Sequence, residues 1–302
     1  MPNPGVYGLA ALTALFWGAN FNLARPVLAD LPPLEAATGR FVLAALIMVA
    51  VTLARREGMA MLETARRHGL RLALIGVVGI AGFNILFFDA MRTTSAVNGA
   101  LVMATNPLLT TLLAALTLGE RPNARQLAAT PLALAGVAVV ILGGHGAAGL
   151  SVGLGDLEML GANLAWAAYN VLSRKLMPAG PQFANVTVLM AVGAASLALT
   201  GFAFEPMTAL PGPKAMAALV AMAAVGSVLA YLFWSMAIVR LGAGRTALFL
   251  NLVPVCATII AAMGGDYPNG FQLAGGALVI ASVGYAMLPP RQPLVPCLVV
   301  RS

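Results

Sequence analysis

The ten residues GERPNARQLA, Gly119 to Ala128, return as GDYPNGFQLA, Gly265 to Ala274. Gly, Pro, Asn, Gln, Leu and Ala are identical between the two, and Glu120 corresponds to Asp266, at an offset of 146 residues. Upstream, Ala96, Ala100 and Pro107 recur as Ala243, Ala247 and Pro254 at an offset of 147. Near the two starts, Trp17 and Arg25 recur as Trp166 and Arg174 at an offset of 149. Order is kept and the offset drifts by only three residues, which marks an internal duplication rather than coincidence.

The material duplicated is apolar. The 302 residues are 60% hydrophobic and 9% charged, whereas a soluble domain carries about 25% charged residues. So few charged groups cannot cover a soluble surface, and the mean hydropathy of +0.91 agrees with an integral membrane protein. A spanning helix needs roughly 20 mostly apolar residues. Ten such runs are predicted, at 4–24, 34–53, 71–91, 96–118, 125–143, 157–173, 185–204, 214–239, 245–264 and 271–288. The fold class read here is all-α, with ten transmembrane helices in two five-helix repeats. Five is odd, so the second copy enters the membrane from the opposite side and the repeats are inverted, an arrangement found in transporters. The expected organisation is a first repeat over 1–143, a Gly-rich linker over 144–155, a second repeat over 156–288 and a tail over 289–302.

Lys and Arg set the orientation. With the N-terminus inside, cytoplasmic segments hold thirteen of them: Arg55, Arg56, Arg66, Arg67, Arg71, Arg121, Arg125, Arg174, Lys175, Arg240, Arg245, Arg291 and Arg301. The outer loops hold Arg25, Arg92 and Lys214, and Arg40 lies within the second run. Such a bias places both termini in the cytoplasm. The formal charge of +7 then belongs to basic loops, and no basic patch with interleaved aromatics points to nucleic acid. MPNPG, before the first run, has no basic region and no cleavage site, so the first helix is expected to stay in the mature protein. The expected setting is the plasma membrane, the inner membrane of a bacterium. The bilayer and a small-molecule substrate are the expected partners of a chain read as a monomer.

Gly143 to Gly155, GGHGAAGLSVGLG, contains two enzyme-like patterns. Gly144, Gly146 and Gly149 spell G-x-G-x-x-G, and Gly149, Ser151 and Gly153 spell G-x-S-x-G. A dinucleotide site needs a preceding strand and an acid about 20 residues on; Asp156 and Glu158 come too early. A nucleophile elbow needs a strand and His and acid partners, and the histidines are His68 in a basic loop and His145 within this stretch, neither part of a recognisable triad. The stretch is read as the connector between halves. Cys256 lies in an apolar run and Cys297 in the tail, with no C-x-x-C metal pair. No Walker motif is present. The reading is therefore not an enzyme, with no cofactor and no metal.

Candidate substrate-binding residues are polar or aromatic positions inside the runs. Asn20 follows Trp17 by three residues, and Tyr169 follows Trp166 likewise. Phe83, Asn84 and Phe87 cluster in the third run, Met103 and Asn106 lie in the fourth, Tyr231 and Trp234 in the eighth, and Asn251 in the ninth. An amide in hydrocarbon needs a partner, so each Asn either bonds a neighbouring helix or faces a wet cavity. Each Trp either anchors at the interface or lines a cavity, and matching positions in both halves favour the cavity. Aromatic stacking contributes about 0.5–1.5 kcal/mol, and a ring also attracts an ammonium, so such a lining suits small amphipathic solutes. Pro107 and Pro254 remove a helix hydrogen bond; each marks either a fixed kink or a gating hinge. Ala96, Ala100 and Ala104 form a stripe that permits close helix contact. Glu35 and Asp89 are placed near outer helix ends, solvated at headgroup level. Arg40, deeper, is expected to snorkel, cap a helix end or bond carbonyls.

WGANF (Trp17–Phe21), PPLEAATGRF (Pro32–Phe41), ATNPLLTTLLAALTLGERP and the second-half positions around Pro254 and GDYPN, taken in order, resemble the drug/metabolite transporter superfamily. Within it they are similar to the EamA-type ten-helix exporters, above all the aromatic amino-acid exporters of the YddG type. The resemblance covers residues 5–288 and implies a basket of two inverted halves around a central cavity, with helices 3–4 and 8–9 as gates. The expected function is secondary transport: export of small organic solutes, amino acids including aromatic ones foremost, by alternating access. Carriage of another metabolite or a drug is the alternative, and a non-transport membrane protein the remote one.

Overall fold

A computed structural model describes residues 4–93, 96–145, 153–204, 210–265 and 267–288. All regular structure among them is helical. α1 spans Pro4–Asp30, α2 Pro33–Ala54 and α3 Gly58–Ala90. α4 comes as two segments, Ala96–Ala104 and Asn106–Leu118, and α5 spans Ala124–His145. α6 spans Leu154–Leu176, α7 Gln182–Phe204, α8 Pro213–Leu241, α9 Ala243–Met263 and α10 Gly270–Met287. Among the described residues, six stretches are long and apolar enough to cross a membrane: α2, α3, α8, α9, α10 and residues Gln182–Gly201 of α7.

The repeated motif builds the same corner twice. Gly119 ends α4 at φ 66°, and Gly265 follows α9 at φ 96°. Both values lie in the left-handed region that favours glycine at a helix C-terminus. The Asn and Gln then form a reciprocal cap. Asn123 Oδ1 accepts from Gln126 N at 2.8 Å, and Gln126 Oε1 accepts from Asn123 N at 3.0 Å. Asn269 and Gln272 do the same at 2.9 and 3.0 Å. Each pair satisfies two backbone N–H groups at the start of α5 or α10.

Packing exchanges partners between the halves. α1 packs on α8 and α9, while α6 packs on α3 and α4. α2 and α7 pack on each other; α7 also holds α3, and α2 also holds α8. α5 and α10 pack back to back, where a β-carbon on Gly275 would stand 2.6 Å from the Gly136 carbonyl oxygen. The main apolar core joins α1, α2, α3, α5, α6, α7, α8, α9 and α10.

Several features differ from the sequence expectation. α3 begins at Gly58 rather than 71. Residues 58–71 are good helix formers carrying a Glu63–Arg67 pair at 2.8 Å, and their charges hide the helix from a search for apolar runs. α1 continues through Pro26 to Asp30. The fourth run is broken at Thr105, whose backbone N–H bonds the carbonyl of Val102. In α9 a 3-10 segment, Leu248–Asn251, precedes Pro254. The alanine stripe does not seal α4 along its length, because Ala100 is exposed, whereas Ala243 and Ala247 of α9 are fully buried. Helix also enters the expected linker from both sides, to His145 and from Leu154. Gly149 and Ser151 of the enzyme-like patterns, Asp266 and the tail 289–302 lie outside the described residues.

Candidate functional site

The site grows from two irregularities in α3 and α8. Each helix widens into a π segment, Val77–Gly82 in α3 and Met222–Leu229 in α8. Such insertions occur often at functional sites. Each contains a glycine that admits a side chain from the facing helix. A β-carbon on Gly79 would collide with the Tyr169 ring, and one on Gly226 with the Asn20 carboxamide. Gly79 and Gly226 are 147 residues apart, Asn20 and Tyr169 149. These are the offsets of the internal repeat, so one device is used twice. Trp17 Nε1 donates to the Gly226 carbonyl at 3.0 Å.

Between these contacts lies a cluster of rings. Trp17 meets Trp166 edge to face at 5.3 Å between centroids, and Trp166 stacks on Tyr169 at 4.9 Å. Tyr231 lies 5.8 Å from both Trp166 and Tyr169 and 6.3 Å from Trp17. Trp234 adds a contact to Trp17 at 4.9 Å, Phe83 one to Trp166 at 5.2 Å, and Phe41 one to Tyr231 at 5.8 Å. The rings come from α1, α2, α3, α6 and α8, and Tyr169 and Trp234 are fully buried. They pack against one another within the main apolar core.

A polar ladder flanks the rings. Asn163 Nδ2 donates to the Val102 carbonyl at 2.6 Å and to Thr105 Oγ1 at 2.9 Å. Asn106 Nδ2 donates to Asn163 Oδ1 at 2.6 Å, and Thr110 Oγ1 donates to Asn106 Oδ1 at 3.0 Å. Asn170 Nδ2 donates to Thr110 Oγ1 at 3.3 Å, and Trp234 Nε1 donates to Asn170 Oδ1 at 2.8 Å. The ladder spans the break in α4 and reaches its backbone at the Val102 carbonyl, which also accepts the Thr105 N–H. Sequence reasoning missed Asn163 and Asn170. The signal was present: with Trp166 between them they recur at 163, 166 and 170 along one helix face.

Of the residues singled out in sequence, Trp17, Asn20, Phe83, Trp166, Tyr169 and Tyr231 come together here. Phe87 extends the cluster through Phe83 at 5.6 Å. Asn84 Nδ2 turns back to the Ile80 carbonyl at 2.7 Å, closing the π segment of its own helix. Asn251 is buried in the 3-10 segment of α9 with Oδ1 unpartnered, and Met103 is half-buried in α4. Pro107 is buried at the start of the second segment of α4, and Pro254 lies in the first turn after the 3-10 segment. Asp89 is exposed and pairs with Arg92 at 3.6 Å. Glu35 departs from the headgroup expectation: it is 5% exposed, with both carboxylate oxygens buried and unpartnered. The Arg40 guanidinium stacks over Phe41 at 4.5 Å, and its Nε is unpartnered.

At the end of the molecule where α9 begins, one carboxylate ties three helices. Glu120, just after α4, pairs with Arg174 of α6 at 3.3 Å. It also accepts from the backbone N–H groups of Ala243 and Gly244 at 3.4 and 3.5 Å. Arg174 donates in addition to the carbonyl of Val239 in α8.

Residues 5–142 and residues 153–288 each match the EamA-like transporter family. The chain belongs to that family. It is a multi-pass inner-membrane protein of a group whose members are transporters. Among its relatives, an uncharacterized transporter of Bacillus subtilis, YyaM, is 37% identical over 287 residues, covering 94% of this chain and 93% of the relative. The aromatic amino acid exporter YddG of Ancylobacter novellus is 26% identical over 294 residues, covering 94% and 98%. A solved crystal structure superposes with a TM-score of 0.80 at 23% identity, covering 94% of this chain and 97% of that one, a likeness of fold alone.

Proposed function

We propose that the protein is a secondary exporter of small organic solutes, foremost amino acids including aromatic ones, and not an enzyme. It works by alternating access around the central ring cluster. In this reading ten helices cross the membrane, residues 1–143 and 156–288 form inverted halves, and both termini are cytoplasmic. The observation that carries the proposal is the convergence of Trp17, Trp166, Tyr169 and Tyr231 from both halves on one central point. Rings that pack on each other in the closed centre offer the same faces to a bound aromatic or cationic group when they part. The name of the Ancylobacter relative, similar along nearly the whole chain, supports the same substrate class.

The halves differ in a way that suits alternating access. The start of α9 is buried and tied to α4 and α6 through Glu120, while Ala100 near the start of α4 is exposed. The cytoplasmic end is closed in this conformation, and the exchange of roles between equivalent helices opens it. Pro107 and Pro254, each beside an irregular turn, are the proposed hinges.

Counterflow in proteoliposomes tests the proposal. Vesicles loaded with one unlabelled amino acid at a time are expected to take up a labelled one, and Trp166→Ala is expected to abolish that uptake. Folded protein showing no counterflow with any amino acid would overturn the substrate class.

A further inference from the structure

A second site lies away from the rings, at the end of the molecule that the basic loops place in the cytoplasm. A cavity of about 230 Å³ opens between the end of α4, the start of α5, the ends of α6 and α8 and the start of α9. Four guanidinium groups line it, Arg121, Arg174, Arg240 and Arg245, with a single carboxylate, Glu120. That carboxylate is already engaged by Arg174 and by the backbone of Ala243 and Gly244. Arg121, Arg240 and Arg245 have no acidic partner within ion-pair distance among the described residues. The lining therefore holds an excess of three positive charges. Four like charges around one cavity repel each other, and an anion seated among them removes that repulsion. Arginine presents planar pairs of N–H donors that match phosphate oxygens bidentately. Basic pockets between transmembrane helices at the cytoplasmic face suit acidic lipid headgroups.

We infer that the cavity bounded by Arg121, Arg174, Arg240 and Arg245 binds a phosphate group, either the phosphodiester headgroup of an acidic inner-leaflet lipid or a soluble phosphate. Its walls come from both halves of the repeat, so the occupant ties the start of α9 to the ends of α4 and α6 and favours the conformation closed on that side. The site is independent of the ring cluster and of what that cluster carries.

The test uses the full chain, purified in detergent and stripped of lipid. Melting temperature is measured with phosphatidylglycerol or phosphatidylcholine micelles, and separately with inorganic phosphate or chloride at equal ionic strength. Retained lipid is counted by native mass spectrometry. The variants are the single changes Arg121→Gln, Arg240→Gln and Arg245→Gln and their combination; Arg174 is left intact because it braces Glu120. Phosphatidylglycerol, and not phosphatidylcholine, is expected to remain bound and to raise the melting temperature by about 5 °C, an effect reduced in the singles and lost in the combination. Protection by inorganic phosphate alone, equally lost in the combination, supports the same site with a soluble occupant. Protection by neither, or retention of phosphatidylglycerol equal in the combined variant and the parent, overturns the inference. A single monodisperse gel-filtration peak and a cooperative melting transition for each single variant and for the combination show that they fold.

Discussion

Trp17 and Trp166 occupy equivalent positions in the two halves and meet edge to face at the centre of the molecule, 5.3 Å between centroids with planes at 77°. The duplication therefore converges on a contact between its own copies. Neither ring is an interfacial anchor: Trp166 is 6% exposed, and Trp17 spends its indole N–H on the Gly226 carbonyl of α8. Removing either ring takes away a wall of the proposed substrate site. Trp166→Ala is expected to abolish counterflow and, by the loss of a buried aromatic, to cost about 3–5 kcal/mol. Trp17→Phe keeps a ring and loses the hydrogen bond, so it is expected to lower counterflow severalfold while folding normally. Equal counterflow in Trp17→Phe and the parent would show that the bond to Gly226 has no part in transport.

Gly79 and Gly226 are the places where α3 and α8 let another helix's side chain in. Alanine at either position drives a methyl into Tyr169 or Asn20. The expected cost is about 1–3 kcal/mol of overpacking, together with loss of counterflow, because the shifted side chains belong to the proposed site. Gly8, in α1, whose added β-carbon meets nothing within 4 Å, serves as the control: Gly8→Ala is expected to leave counterflow unchanged and to raise the melting temperature slightly, because alanine is the better helix former.

The duplication, the apolar runs and the pairing of Trp17 with Trp166 are legible in the sequence because they rest on composition and spacing. Other features are not, and each has a reason. The start of α3 at Gly58 carries Glu63, Arg66, Arg67 and Arg71, so no apolar run announces it. A π segment is an extra residue in a helical turn and leaves hydropathy unchanged; only glycines at equivalent positions hint at it. Asn106 was legible as a buried amide, but its partners Asn163 and Thr110 come from tertiary packing. Glu35 looked like a headgroup-level acid because it opens α2, and the burial of its carboxylate depends on neighbours that sequence does not place. The arginine-lined cavity gathers residues that sequence reading spread over separate loops.

The repeated Asn–Gln caps offer a prediction about stability alone. Asn123→Ala and Asn269→Ala each remove one half of a reciprocal cap. Each is expected to cost about 1 kcal/mol. The caps share no partner, so the double variant is expected to show the sum, read as melting temperature. Counterflow at temperatures well below melting is expected to stay at the parental rate, since neither cap touches the rings.

Pro107 and Pro254 each sit beside an irregular turn, the break at Thr105 and the 3-10 segment Leu248–Asn251. Replacing proline by alanine returns a backbone N–H and removes a ring that clashes with the preceding turn. The helix is then expected to straighten and stiffen. Pro254→Ala is expected to hold or raise the melting temperature while slowing counterflow severalfold, a combination that a fixed packing kink does not produce. A lower melting temperature with an unchanged transport rate would assign the proline to packing instead.

The tie at Glu120 predicts which end of the molecule is closed. Its carboxylate joins Arg174 of α6 to the backbone of Ala243 and Gly244 at the start of α9. Glu120→Gln keeps the shape and removes the charge, so the pair with Arg174 is lost and the backbone contacts weaken. The start of α9 is then expected to separate from α4 and α6 more often. A cysteine placed at Ala243, fully buried in this conformation, reports that separation once Cys256 is replaced by Ser and Cys297 by Ala. Its labelling by a membrane-impermeant maleimide from the cytoplasmic side is expected to rise severalfold in Glu120→Gln. A second cysteine at Ala100, exposed in this conformation, is expected to be labelled less in the same variant, because opening one end of an alternating-access carrier closes the other. Labelling that rises at both positions would mean that the two ends are not coupled, and that Glu120 only holds a corner of the fold together.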